Sequence, residues 1–170
     1  MSARQDTYRA TDGAHLGGTT TVRAPSVLDD VSPYDVPLQP VDGGGDIRAG
    51  GHNDGEPWTI AVGDGLTASL RTRLHDRAVA TSSTLQRRWR TAAGEAHHII
   101  APASGSPATG TVVTATVIAP DATTADALAT ALIADRDRAL CALEALAAEA
   151  LLLGRDGAWT MTAGMARYLA

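Results

Sequence analysis

The stretch VVTATVIAPDATTADALATAL, residues 112–132, changes its period in the middle. Val112 to Ala119 is apolar and rich in β-branched residues, the composition of a buried strand. Pro120-Asp121 breaks it, and Thr123-Thr124 then lead into an Ala/Leu run that predicts a helix over residues 123–133. Asp126 and Thr130 are four residues apart, so they share one face of that helix, and this reading puts them near its N-terminal end. A carboxylate and a hydroxyl stacked one turn apart can hold a hard cation, and the free N–H groups of a first turn would favour an anion beside it. Magnesium bridging a diphosphate meets both requirements. An acidic residue early in a helix with a threonine one turn on also occurs with no ligand at all, as ordinary macrodipole chemistry.

Working outward, three segments upstream carry the same kind of chemistry: HHIIAPASGSP at 97–107, AVATSSTLQRRW at 78–89 and VDGGGDIRAGG at 41–51. In this order and at these intervals, the set resembles the FAD:protein FMN transferase family, the ApbE-like flavin transferases. That family has a GGDI turn, a strand-exit ATSG, an HHIIDPRTG loop and a D-x-x-x-T helix ahead of its C-terminal strands. The resemblance runs over about residues 15–165 and rests on the ordered set rather than on any one motif. It implies a flavin-transferase domain over 15–170, equivalent to the C-terminal two-thirds of the family domain, behind a flexible segment at 1–14.

The resemblance also implies an activity: FAD is split with magnesium, AMP is released, and FMN is attached through a phosphoester to a threonine or serine of a target flavoprotein. Asp126 and Thr130 would be the metal ligands and His98 the candidate base. Gly44, Gly45 and Asp46, with Ser82 and Ser83, would lie against the cofactor. Two segments depart from the family pattern. In HLGGTTTV, residues 15–22, His15 replaces a usual acid and the family lysine falls among Thr19 to Thr21. In APASG, residues 101–105, the acid and arginine of DPRTG are gone while proline, a hydroxyl and glycine remain. The alternative expectation is a non-catalytic flavin-binding remnant, or an interaction module whose site is completed by a partner chain supplying the N-terminal part.

Each of these positions also has a reading that needs no ligand. Gly43 to Asp46 forms a backbone that can approach a flavin or its phosphates, or a plain β-turn. Ser82, Ser83 and Thr84 leave a predicted strand, where small hydroxyls donate to a phosphate or bond the local backbone. His97 and His98 follow a hairpin signal at Gly94-Glu95; adjacent strand residues point to opposite faces, so one at most faces a site readily. A neutral imidazole at His98 can act as a base or bond a turn carbonyl. Arg87, Arg88 and Arg90 flank Trp89 on a strand or short helix, as a solvated basic face or with one of them on a diphosphate.

The remaining elements frame the fold. Prolines at 25, 33, 37 and 40 exclude a long helix there, since an interior proline costs about 3 kcal/mol. PWTIAVGDG (57–65) predicts a strand with Trp58 as a core or edge anchor, and LTASLRTRL (66–74) a half-exposed strand. Residues 135–150 predict an alanine-rich helix with Leu140, Leu143 and Leu146 in one stripe, and Cys141 as a small buried residue on it. LLLGRDGAWTM then predicts a hairpin through Arg155-Asp156-Gly157. The expected class is α+β: an antiparallel β meander with two main helices packed on one face.

A chain of 170 residues suits one domain. It has no phenylalanine, so its core must be built from Ala, Val, Leu and Ile. All fourteen basic residues are arginine, yet the net charge of −5 and the lack of a long basic run argue against nucleic-acid binding. One cysteine allows neither an internal disulfide nor a cysteine-rich metal site. The N-terminus has no apolar signal core and no run of eighteen apolar residues follows, so no membrane span is expected, and a cytoplasmic protein is.

Overall fold

The computed structural model describes residues 41–42, 45–51, 53–62, 70–92 and 94–170. The HLGGTTTV segment, Gly44 and the start of the 66–74 run lie outside the described residues. In chain order the strands are β1 (Val41–Asp42), β2 (Ile47–Ala49), β3 (Trp58–Val62), β4 (Leu70–Leu74), β5 (Arg77–Ser83), β6 (Arg88–Thr91), β7 (Gly94–His97), β8 (Ile100–Ala101), β9 (Ser106–Pro107) and β10 (Val112–Ala119). Two helices follow, α1 (Ala122–Ala134) and α2 (Arg136–Ala145), then β11 (Glu149–Gly154), β12 (Trp159–Met161) and a 3-10 helix at Ala163–Tyr168.

Six strands form one antiparallel sheet in the order β1-β2-β5-β10-β11-β12. Chain order is interrupted twice: the β3–β4 hairpin intervenes between β2 and β5, and the β6–β7 and β8–β9 hairpins between β5 and β10. All eight residues of β10 are buried, because both faces of that strand are covered. On one face α1 and α2 pack over Ala78, Ala80, Ala115, Val117, Ala150 and Leu152. On the other, β3, β4 and the 3-10 helix bring Trp58, Ile60, Leu74 and Met165 against Ile47, Val79 and Ile118. The alternation along β5, with Ala78 and Ala80 on the helix side and Val79 on the other, fixes which way each later residue of that strand points. Small side chains on the helix side let α1 lie close to the sheet, as a core without phenylalanine requires. The opposite face takes a large side chain instead: Trp58 is buried there and its Nε1 donates to the Gly50 carbonyl at 2.9 Å.

The fold is thus α+β with both main helices on one face, as the sequence predicts. Two local expectations are corrected and one open alternative is decided. The second helix ends at Ala145, not at 150; Ala147 takes φ +49°, the chain reverses, and Glu149 opens β11. Helix propensity favours Ala and Leu, but pairing with β10 buries Ala150 to Leu153 better than a continued helix would. Leu146 is therefore exposed beyond the helix end while Leu143 is buried. Cys141 is exposed, its Sγ donating to the Asp137 carbonyl one turn back at 3.3 Å. Arg88 to Thr91 form a strand paired with β7, which removes the helical option, and Trp89 is half exposed on it.

Candidate functional site

The site is assembled at the end of the sheet where β5 stops. β10 runs antiparallel to β5, and α1 packs back across both, so the second half of α1 approaches the last residues of β5. Ser82 has the same facing as Ala78 and Ala80, toward α1, and its Oγ lies 2.9 Å from Thr130 Oγ1. Two segments 48 residues apart are joined there by a single hydroxyl contact. Asp126 stands one turn before Thr130 on the exposed side of α1, and its carboxylate makes no hydrogen bond or ion pair among the described residues.

Asp126 and Thr130 do not sit at the helix start. The helix begins at Ala122 with no acidic residue in its first turn, which puts Asp126 in the second turn and Thr130 in the third. The N-cap is Asp121, whose Oδ1 accepts from the Thr124 N–H at 2.8 Å while its Oδ2 accepts from the Thr124 hydroxyl at 2.8 Å. These two bonds, the backbone one foremost, hold the Asp121 carboxyl below its ordinary value of 3.8. The place that an anion would take at the first turn is thus filled by the chain's own carboxylate. The signal for this cap is in the sequence: Asp121 stands three residues before Thr124 and directly after the strand-ending proline, the usual position for one.

Ser82 and Ser83 are separated by the pleat. Ser83 faces away from α1, its Oγ 3.0 Å from Thr114 Oγ1 and accepting from the Leu85 N–H at 3.1 Å. Beside it on the same face, Thr81 and Thr116 meet at 2.9 Å. Two cross-strand hydroxyl pairs therefore satisfy the polar side chains of a strand buried along its whole length.

Gly45 and Asp46 precede β2, which pairs with β5 through Ile47↔Val79. In that antiparallel register the turn ahead of β2 lies at the same end of the sheet as the last residues of β5. Gly45 takes φ +119°, a conformation that glycine adopts without strain, and a Cβ there would meet nothing within 4 Å.

The two histidines have different fates. His97, the last residue of β7, places Nε2 2.9 Å from the Ala108 carbonyl, and its Nδ1 accepts from the Ile99 N–H at 3.3 Å. With Nδ1 accepting, Nε2 is the donor to the Ala108 carbonyl. His97 is the clamp of the 98–108 loop, which Ile99 and Ala108 anchor in the core on the helix side of the sheet. His98 is exposed, outside any strand, with no side-chain bond among the described residues. The turn of this loop survives without the acid and arginine of the related pattern: the Ser104 and Gly105 N–H groups both donate to the Ala101 carbonyl, at 3.2 and 2.9 Å, and Gly105 takes φ +63°.

Among the described residues no three His, Cys, Asp or Glu side chains cluster as a metal site. The donors at Asp126 and Thr130 are both oxygen, which would suit a hard cation that takes the rest of its shell from water and phosphate. A groove of about 580 Å³ opens elsewhere, between the start of α2 and the β11–β12 hairpin, with Arg136, Leu152 and Arg155 in its wall. It contains none of the candidate residues, and the convergence of side chains at Ser82 and Thr130 marks the site better than the size of that groove does.

The chain has counterparts among known proteins. Residues 35–152 match the model of the ApbE family. The crystal structure of the ApbE protein from Thermotoga maritima is similar at 31% identity and a TM-score of 0.64, over 78% of this chain and 45% of that one. The apo flavinyl transferase ApbE of Pseudomonas stutzeri is similar at 27% identity and 0.57, over 71% of this chain and 40% of its own. The flavin transferase ApbE from Vibrio cholerae is similar at 31% identity and 0.55, over 72% and 41%. The chain spans less than half the length of each of these three structures. No curated protein matches it. No helix among the described residues is long and apolar enough to cross a membrane.

Proposed function

The chain belongs to the ApbE family, and from that premise we propose that it is a magnesium-dependent flavin transferase, which moves FMN from FAD to a threonine or serine hydroxyl of a target flavoprotein. The observation that carries the reading is the contact of Ser82 with Thr130, one turn from the unpartnered carboxylate of Asp126. It brings one strand-exit hydroxyl and the D-x-x-x-T helix to one place.

In this reading Asp126 and Thr130 would hold magnesium, and Gly45 and Asp46, ahead of β2, would contact the cofactor, as the family pattern implies for Gly44 as well. Magnesium, when bound, neutralises charge on the diphosphate and orients its leaving side. His98, exposed and unengaged, takes the proton of the acceptor hydroxyl as that oxygen bonds to the phosphorus of the FMN half. The bond from that phosphorus to the bridging oxygen breaks, and AMP departs with that oxygen. The proton finishes on the imidazole. Ser83 faces the other side of the sheet, so its part in this site is structural, through Thr114.

A second reading, flavin binding without transfer unless a partner chain completes the site, is favoured by the APASG loop, which leaves His98 without a neighbouring acid to fix its tautomer.

The test is FAD binding followed by fluorescence with and without magnesium, in the parent and in Asp126→Ala. The parent is expected to bind FAD much more tightly with magnesium, and the variant to lose that dependence while keeping its circular dichroism. Incubation with a target domain and in-gel flavin fluorescence then reports transfer. Equal FAD affinity in variant and parent would remove Asp126 from the site.

A further inference from the structure

We infer that Ser82 is a positioning residue for Thr130: it holds the threonine hydroxyl in the orientation that lets Oγ1 serve as a metal ligand, and makes no contact with the flavin itself. The inference rests on the magnesium site proposed at Asp126 and Thr130, and assigns Ser82 a role different from the cofactor contact expected at a strand exit.

A threonine inside a helix has a ready backbone partner. Its hydroxyl ordinarily donates back to the carbonyl four residues earlier, here that of Asp126. A hydroxyl engaged in that way is turned along the helix axis and bends the turn it bonds. Thr130 makes no such bond; the partner of its Oγ1 is Ser82 Oγ, across the gap between α1 and β5. The heavy-atom geometry allows either oxygen to donate. A metal on Thr130 decides between them, because a coordinated hydroxyl oxygen spends a lone pair on the cation and must send its proton elsewhere. Ser82 Oγ at 2.9 Å is the acceptor in place, and as acceptor it leaves the lone pairs of Thr130 free for a cation on the exposed helix, where Asp126 stands one turn earlier.

Neighbouring hydroxyls do not compete for Ser82. Ser83 and Thr81 point to the opposite face and are taken by Thr114 and Thr116. Ser82 itself shows no second hydrogen bond among the described residues, so its remaining capacity is available to follow the Thr130 proton. Its placement is rigid because β5 is paired on both sides, with β10 through Ser82↔Ala115 and Thr81↔Thr116 and with β2 lower down. The serine is thus a fixed post on the sheet, and the threonine is the movable arm on the helix.

The test is a double-mutant cycle read by magnesium titration of FAD binding, with Ser82→Ala, Ser82→Thr, Thr130→Ala and the Ser82→Ala/Thr130→Ala pair. Partners that orient a metal ligand typically contribute 10- to 100-fold in metal affinity, so Ser82→Ala is expected to raise the magnesium concentration at half-saturation by about 10-fold or more. FAD binding without magnesium should not change. Ser82→Thr, which restores a hydroxyl, should recover most of the loss, and Ser82→Ala should add less than about twofold once Thr130 is alanine. Thermal unfolding monitors the fold of each variant, and the rescue by Ser82→Thr keeps the test decisive if alanine destabilises the chain. An unchanged midpoint in Ser82→Ala overturns the inference, as does a full-sized effect in the Thr130→Ala background or a loss of magnesium-independent FAD binding, either of which makes Ser82 a ligand contact in its own right. A parent chain whose FAD binding ignores magnesium overturns the site reading, and this inference with it.

Discussion

Two neighbouring histidines differ in what holds them. His97 ties the 98–108 loop to its base through the Ala108 carbonyl and the Ile99 amide, and His98 beside it is exposed and unengaged. His97→Ala should therefore lower stability by about 1–3 kcal/mol, the cost of leaving partly buried backbone groups without a partner, as read by urea unfolding. His98→Ala should leave the unfolding midpoint in place and reduce flavin transfer by about 10²- to 10⁴-fold, the usual contribution of a general base. The reverse pattern would exchange the two roles. Asp121 gives a second expectation at this scale, in acid. Its carboxyl is held below 3.8 by Thr124 in the folded chain, so the capped helix binds that proton less readily than the unfolded chain does. The stabilising contribution is fully present above the unfolded value and is lost as pH falls through the lower folded one. Asp121→Asn, which caps without a charge, should flatten that part of the acid unfolding profile.

The elements follow from local sequence where period and boundary agree, and diverge where they conflict. Leu132 faces the sheet from α1 with no exposed surface, packed among alanines and valines. Leu132→Ala should cost about 2–5 kcal/mol in chemical denaturation, toward the upper end if the surrounding small side chains cannot close the space. The strand 112–119, the break at Pro120-Asp121 and the helix after it were legible, since β-branched residues, a proline and an Ala/Leu run each point one way. The hairpin through Arg155 to Gly157 was legible from its turn residues. The boundary between α2 and β11 was not: ALEALAAEALLLG offers no proline, glycine or β-branched residue before Gly154, and only the free edge of β10 decides that Glu149 begins a strand. The same holds for the site. Ser82 and Thr130 could each be named as candidates, but their contact depends on α1 crossing β5, which no local pattern encodes.

For the whole molecule, one sheet brings the glycine turn, the strand-exit serine and the helix threonine to a single end, and under the proposed reading a diphosphate and an acceptor hydroxyl would both have to meet there. Transfer requires those groups in line, and a displacement of about 1 Å can cost on the order of 10²-fold. The APASG loop supplies His98 with neither the acid nor the arginine of the related pattern. The isolated chain is therefore expected to bind FAD yet to transfer FMN far more slowly than about 1 s⁻¹, with faster turnover only on addition of a chain that completes the site. A stopped-flow or quenched gel assay at or above that rate for the chain alone would refute this.

β10 has every residue buried, with β5 and β11 on its flanks, helices above and a hairpin below. In deuterated water this burial becomes a clock. Amides open to solvent by local fluctuation at the margins, but those of β10 can exchange only when the layers around it come apart together. The slowest peptides in a mass-resolved exchange experiment should therefore be those spanning Val113 to Ile118, with protection approaching the global unfolding free energy. Labelling should advance inward from β12 at one edge and β1 at the other, so the order of isotope uptake would trace the order of strands across the sheet.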